Sequence, residues 1–356
     1  MTITPSRPVK ARKSRITDTE ITLSHGSGGA ATRDLIDEIF VGNFENPFLS
    51  PLEDQARFNL ADLARMGDRL AFTTDSYVVS PLFFAGGDIG SLAVNGTVND
   101  LAVGGAIPLY LSCGFILEEG LAIDTLRQVV ASMKKAADSA GVRIVTGDTK
   151  VVHRGSADKL FINTAGVGII RSNVNPAANR LQTGDKVLIN GFLGDHGTAI
   201  LIARGELDLL CTIESDCQPL NSLINEILEV CPEVRAMRDA TRGGLATVLN
   251  EFAESSGVGI RVEETAIPVR EEVRGTCELL GLDPLYLANE GKLVLVVPPE
   301  AEKRVLGVMR SHPFGENSTC IGEVVGSPSG VVFLQTAFGA GRILDRLVGE
   351  QLPRIC

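Results

Sequence analysis

Residues 78–106 read VVSPLFFAGGDIGSLAVNGTVNDLAVGGA, and this segment constrains the fold more than any other. Leu92, Ala93, Val98, Leu101 and Ala102 share one face at helical spacing. The spacing predicts a helix that carries several glycines, which such a pattern tolerates at some cost. The whole chain shares this bias. It has 38 glycines in 356 residues, above the usual ~7%, while Trp is absent and aromatics total 5%. Glycine excess with few aromatics points to tight turns and to places where backbone approaches a ligand closely.

The flanking pattern predicts an α/β (α+β) fold. Arg69 to Asp75 (RLAFTTD) reads as a short strand ending in an acid, residues 109–116 as a buried strand, and 122–140 as a helix stopped by Gly141. Residues 143–146 and 159–170 read as further strands, completing one unit. A turn-rich stretch, 171–184, separates it from a second unit beginning at 185–189. That unit has helices over 194–204, 219–229, 244–255, 270–280 and 299–310, and strands over 259–263, 293–297, 320–325 and 331–334. Two units agree with a length of 356 residues at roughly 150 per domain. The expected division is a flexible N-terminal arm with a glycine-rich segment (1–40), an N-terminal domain (41–174), a C-terminal α/β domain (175–334) and a flexible tail (335–356).

Charge and composition exclude several classes. Hydrophobic residues are 44% and charged residues 22%, as in an ordinary globular chain and unlike a disordered one. No apolar run approaches the roughly 18 residues of a membrane span. The formal charge of −11 argues against nucleic acid, whose phosphates are met by a basic balance. Surplus carboxylates suit both solubility and Mg²⁺ chemistry. The seven cysteines contain no CxxC, which predicts free thiols in a reducing, cytoplasmic setting rather than a disulfide framework or zinc ribbon. The first 15 residues carry Arg7, Lys10, Arg12, Lys13 and Arg15 without the apolar core of a secretory signal. They read as a disordered basic arm or as a docking arm for an acidic partner.

Four groups of residues carry chemistry. Asp75, Asp100, Asp148 and Asp239 lie at predicted element ends; such carboxylates serve as caps and turns, or converge on a cation shared with nucleotide phosphates. Gly26, Ser27, Gly28 and Gly29 of HGSGG, and Gly243-Gly244 before a helix, are flexible linkers or phosphate cradles of backbone N–H groups. No GxxxxGK[ST] loop and no GxGxxG in strand–helix context occurs, so a bound nucleotide requires a different architecture. Lys150 and Glu290 are either a surface ion pair or a phosphate-neutralising cation with a buried general base. His153 and His196 are possible ligands, though a hydrogen-bonded structural role is the commoner one. Cys356 is the last residue given. A thiol there is either without a role or a mobile carrier, and its activation would require a lowered pKa, helped by nearby Arg354.

The ordered strings HGSGG, TTDSYVVSP, GGDIGSLAVNGTVNDLAVGGA, TGDTKVV, NGFLGDHG, DATRGGLATVLNE, NEG and the terminal PRIC closely resemble those of the hydrogenase maturation factor HypE family. The resemblance runs from about His25 to the end, and only the basic arm departs from the pattern. It implies the two-domain fold shared with aminoimidazole ribonucleotide synthetase and selenophosphate synthetase. In that fold the N-terminal sheets of a homodimer pair, with ATP bound near the interface. It further implies that a HypF-type carbamoyltransferase loads a carbamoyl group onto Cys356, that ATP drives its dehydration to a thiocyanate, and that cyanide passes to a HypC–HypD complex for the iron of [NiFe] hydrogenase.

By motif matching, Asp75, Asp100 and Asp239 are expected to hold Mg²⁺, with Asp148 beside them. Gly26, Ser27, Gly28, Gly29, Gly243 and Gly244 are expected to cradle phosphate, and Asn99 and Arg242 to contact it. Glu290 is expected to act as base and Lys150 to polarise the carbamoyl oxygen. Two other readings stay open: an ATP-dependent kinase or synthetase of the same superfamily acting on a free small molecule, and a non-enzymatic thiol carrier.

Overall fold

Helix Ala30–Leu35 (α1) runs through a π-helical turn, Ile36–Val41, into Gly42–Phe44 (α2). The spacing of Leu35, Ile39, Phe40 and Phe44 turns one stripe inward, and all four are buried. A computed structural model describes residues 16–205, 212–347, 349, 352 and 354–356. The basic arm 1–15, Cys211 and Pro353 lie outside the described residues. Within them, residues 16–40 are folded rather than free, contrary to expectation. Ile21 is fully buried, Glu20 bridges Ala122, and Arg127 pairs with Glu38 at 2.5 Å. The apolar stripe of 35–44 supplies the reason, and the glycines beside it masked that signal.

After the short helix Leu60–Leu63 (α3), the N-terminal domain contains β1 (Arg69–Tyr77), a hairpin of β2 (Phe83–Phe84) and β3 (Gly87–Asp88), helix α4 (Ile89–Val103), β4 (Ala106–Glu118), α5 (Ile123–Ala140), β5 (Arg143–Val152) and β6 (Leu160–Ile170). The four long strands form a sheet of order β1-β6-β4-β5. β4 runs parallel to β5 and antiparallel to β6. Leu111, Cys113, Phe115 and Leu117 of β4 and Ile162 of β6 are buried on one face, where α4 packs. Asp88 caps α4 by accepting from the N–H groups of Gly90 at 2.6 Å and Ser91 at 3.1 Å. The glycines of α4 have a packing cause: a Cβ at Gly96 would overlap the hydroxyl of Tyr77. The opposite face leaves Leu70 62%, Phe72 69% and Ile116 43% exposed.

The C-terminal domain follows with β7 (Lys186–Ile189), α6 (Asp195–Ala203), α7 (Asn221–Val230), β8 (Ala236–Asp239), α8 (Gly244–Ser256), β9 (Gly259–Glu263), α9 (Glu271–Leu280), β10 (Leu293–Val297), α10 (Glu302–Ser311), β11 (Thr319–Val325), β12 (Val332–Gln335) and β13 (Gly341–Ile343). They form a seven-stranded sheet of order β13-β12-β9-β11-β7-β10-β8. β10 reads LVLVV because both its faces are covered. Val294 and Val296 pack with Leu249 and Phe252 of α8, and Leu293, Leu295 and Val297 with residues of α7 and α10.

Four expectations change. β1 continues two residues past Asp75, so that carboxylate lies within a strand. β5 continues to Val152 because β4 pairs with it as far as Glu118, which places Asp148 and Lys150 inside a strand rather than in a turn. The four-residue β8 is too short and mixed in character to read from sequence. The described residues of the tail are also structured: β13 pairs with β12, Leu344 is fully buried and Ile355 is 6% exposed. None of the described helices is long and apolar enough to cross a membrane.

Candidate active site

The cleft lies where β1 and α4 of the first domain meet β8 and the loop before β10 of the second. Alternation along β1 turns Thr73, Asp75 and Tyr77 toward α4. There the Thr73 hydroxyl donates to Asp100 Oδ2 at 3.1 Å. Asp239 ends β8, and the turn after it carries Arg242. Gly243 and Gly244 have φ of +75° and +59°. At Gly244 a Cβ would also meet the Leu285 carbonyl oxygen at 2.5 Å, so this position needs glycine for packing as well as for its backbone.

Electrostatics tie these groups together. Burial, then the Asp100 and Asp75 carboxylates, pushes Asp239 up to about 7. Burial and Asp75 also raise Asp100, against the Thr73 hydrogen bond. Glu290 is 3% exposed, and its Oε1 has no hydrogen-bond partner. Burial raises its pKa well above the carboxylate range, and Asp216, Asp239, Asp75 and Asp100 add to that rise. The loop holding Glu290 is fixed by Asp216. That carboxylate accepts from the N–H of Glu290 at 3.0 Å and of Gly291 at 3.1 Å, and pairs with Lys292 at 2.9 Å.

The tail enters this cleft in its own chain. Val78 N–H donates to the Cys356 carbonyl oxygen at 3.1 Å, and Ser80 N–H to that of Arg354 at 3.2 Å. Cys356 borders a cavity of about 320 Å³, lined also by Val78, Arg242, Gly243, Leu287 and Ala288. Arg354 does not activate the thiol as the sequence suggests. Its guanidinium pairs with Asp158 and donates to the Val78 carbonyl at 3.2 Å. Burial, with Glu290 adding to it and Arg242 opposing, instead raises the Cys356 thiol to about 12. The seated sulfur is thereby disfavoured as a thiolate.

The remaining expected residues divide. Asn99 is not free to meet phosphate: its Nδ2 donates to the carbonyls of Gln218 and Glu290, both at 3.1 Å, and its Oδ1 accepts from Leu220 N–H at 2.7 Å. Asp148 does not join the other carboxylates. It aligns with Gly114, Asn163 and Ser76 across the sheet, on the face opposite Asp75 and three strand spacings, about 14 Å, away. Lys150 shares that outer face, donates to Asp148 at 2.6 Å and is 67% exposed. The Lys150–Asp148 hydrogen bond holds Asp148 below the usual carboxylate range. HGSGG is a folded turn at the β5 edge. His25 is buried, a Cβ on Gly26 would come within 2.8 Å of Val151, Ser27 Oγ donates to the Ser24 carbonyl at 3.0 Å, Gly28 N–H donates to Thr32 Oγ1 at 3.0 Å, and Gly29 precedes α1.

Sequence reasoning missed Asp216 and Lys292. Lys292 stands two residues after Glu290, directly behind the NEG string, but SDCQP around Asp216 has no motif to mark it. Among the described residues no three His, Cys, Asp or Glu side chains converge tightly enough to hold a metal by themselves.

Both halves of the chain match one class. Residues 53–170 match the AIR synthase related protein N-terminal domain, and residues 182–335 its C-terminal domain. The two-domain fold is that of this class. The chain is 56% identical over 339 residues to a carbamoyl dehydratase HypE of Rhodobacter capsulatus, covering 95% of this chain and 99% of that protein. A crystal structure of the hydrogenase maturation protein HypE in complex with ATP superposes with TM-score 0.89 at 52% identity, covering 94% of this chain and 99% of that one. The HypE chain of a HypE–HypF complex superposes with TM-score 0.76 at 45% identity, covering 90% and 100%. The chain belongs to the HypE family of hydrogenase maturation proteins.

Proposed function

We infer that this chain is an ATP-dependent carbamoyl dehydratase of hydrogenase maturation, converting an S-carbamoyl group on Cys356 to a thiocyanate. The observation that carries this reading is the seating of Cys356 in its own cleft beside Glu290, with Asp75 and Asp239 electrostatically coupled to both and Asp100 to Glu290. A free-substrate kinase has no use for a tail held there. A passive carrier has no use for clustered carboxylates whose charges raise the pKa of Asp100, Asp239 and Glu290.

The carbamoyl oxygen attacks the ATP γ-phosphorus, ADP departs, and a nitrogen proton is lost, leaving an O-phosphorylated imidate on sulfur. Loss of the second N–H proton then breaks the C–O bond, forms C≡N and expels phosphate. Phosphate leaves where an amide oxygen would not. Glu290 is the acceptor for the proton, because a buried, raised carboxylate binds it strongly once ionised. Arg242 faces the sulfur and the carboxylates, and supplies positive charge as phosphate forms. Exclusion of water from the cleft during turnover would limit hydrolysis of the reactive group.

Mg²⁺ fits these residues. The repulsion that adds to burial in raising Asp239 and Asp100 is what a divalent cation relieves, and Mg²⁺ takes one or two carboxylates plus phosphate oxygens. Asp75, Asp100 and Asp239 would hold it, and when bound it supplies charge neutralisation to the triphosphate. The exposed Leu70, Phe72 and Ile116 face supports a homodimer through the N-terminal sheets. Asp148 and Lys150 lie on that face, and the HGSGG turn on the adjoining edge, so a triphosphate in the Cys356 cleft of the same chain would not meet them. Buried thiols suit a reducing cytoplasm, with a HypF-type carbamoyltransferase upstream and a HypC–HypD complex downstream.

Intact mass tests the reading. Incubation with the carbamoyltransferase, carbamoyl phosphate and ATP is expected to add about 43 Da and then, as this chain uses ATP, remove about 18 Da. Cys356→Ala is expected to abolish both. Carbamoylation with no subsequent loss of water would reduce the chain to a carrier.

A further inference from the structure

His196 is the second residue of α6 and is fully buried. Its Nε2 lies 2.8 Å from the carbonyl oxygen of Ile355, one residue before the tail cysteine. A carbonyl only accepts, so Nε2 carries the hydrogen. Nδ1 lies 2.8 Å from Ser215 Oγ, and that oxygen in turn accepts from Cys217 N–H at 3.1 Å. Burial lowers the His196 pKa, although Asp216 and the Ile355 bond work against it, which keeps the ring neutral. In a neutral ring with hydrogen on Nε2, Ser215 donates to Nδ1. The chain of donors then runs one way, from Cys217 N–H through the Ser215 hydroxyl and the imidazole to Ile355. Phe84 packs edge-on against the ring, at 5.5 Å between centroids and 83° between planes, and fixes its plane.

The adjacent residue, Asp216, holds the N–H groups of Glu290 and Gly291. One short segment, 215–217, therefore anchors both the tail and the loop of the buried acid. We propose that His196 is a positioning residue that latches the inserted tail through Ile355 and sets the register at which the Cys356 sulfur meets Glu290. The proposal rests on the dehydratase reading for its chemical consequence, but the latch itself is a property of the unmodified chain.

Full-length His196→Ala, His196→Gln and Ser215→Ala separate the latch from a merely structural histidine. The Gln amide can place an N–H near the Nε2 position; Ala cannot. The first readout is the rate at which a neutral thiol reagent labels Cys356 in the unmodified protein, resolved by peptide mass. It is expected to rise roughly three- to tenfold in H196A, the factor that one hydrogen bond is worth. The rise is expected to be smaller in S215A and within about twofold of the parent in H196Q. The second readout is the pair of mass changes: carbamoylation by the HypF-type enzyme unchanged or faster in H196A, and ATP-dependent water loss slowed roughly tenfold with recovery in H196Q.

Labelling and water loss in H196A at the parental rates would overturn the proposal. So would H196Q behaving like H196A, which marks a packing defect. If H196A fails to fold, H196Q and S215A still decide it through labelling. Absence of water loss in the parent chain would defeat the dehydratase reading while leaving the labelling arm to judge the latch.

Discussion

Asp216→Asn isolates the interaction that holds the base loop. The parental carboxylate has both oxygens engaged, by two backbone N–H groups and by the Lys292 ammonium. Asp216 and Lys292 side chains are only 4% and 7% exposed. Burial disfavours the Asp216 charge, yet Lys292 and the hydrogen bonds outweigh it and hold the pKa below the ordinary value. The amide keeps one acceptor, removes the counter-charge, and turns an NH₂ toward a donor. Leaving a buried ammonium unpaired costs about 3–5 kcal/mol, a large share of the roughly 5–15 kcal/mol that holds a domain folded. The assay is urea unfolding followed by circular dichroism, comparing variants at equal slope. D216N is expected to lose about 3–5 kcal/mol. D216N/K292M is expected to recover part of that, because the orphaned charge is gone. A loss under about 1 kcal/mol, or a double variant that pays the full cost of both changes, would refute the ion-pair argument.

The same carboxylate predicts an acid limb. A depressed folded pKa gives stability that is present above the unfolded value near 3.9 and lost as pH falls through the folded one, so the gap between parent and D216N in urea midpoint should narrow below about pH 4. Glu290→Gln is expected to accept the carbamoyl group normally and to slow ATP-dependent water loss by about 10²–10⁴-fold; normal turnover would remove Glu290 from the chemistry. Phe72→Asp, on the outer face of the N-terminal sheet, is expected to shift the protein to monomer in sedimentation velocity with an unchanged circular dichroism spectrum; an unchanged sedimentation coefficient would count against dimerisation through that face. Leu35→Ala, at a fully buried position of α1, should cost about 2–5 kcal/mol in the same urea assay; a negligible loss would mean that α1 is not part of the core.

The sequence was most informative where one physical cue dominated. Gly141 ends α5 in the left-handed conformation, φ 70°, as its position after an amphipathic run suggests. The LVLVV run of β10 matches its strand residue for residue. Cues failed where a distant partner decides. Asp148 looks like a turn residue until β4 pairs with β5 through that point. Asn99 is expected at phosphate only by the family resemblance of its motif, but three backbone groups from the other domain occupy its amide. HGSGG reads as mobile by composition, and only the apolar stripe of α1 and α2 and the side of Val151 fix it. Cys356 could be nominated from its place and its PRIC context. Its raised pKa could not, since that follows from burial in a cleft formed by residues from both domains.

Those three hydrogen bonds from Asn99 have a mechanical consequence. An amide rooted in a helix of one half dictates where the acid of the other half stands, so the halves cannot swing apart without dislodging Glu290. A hinge opening between the halves has to break all three and shift the acid with them.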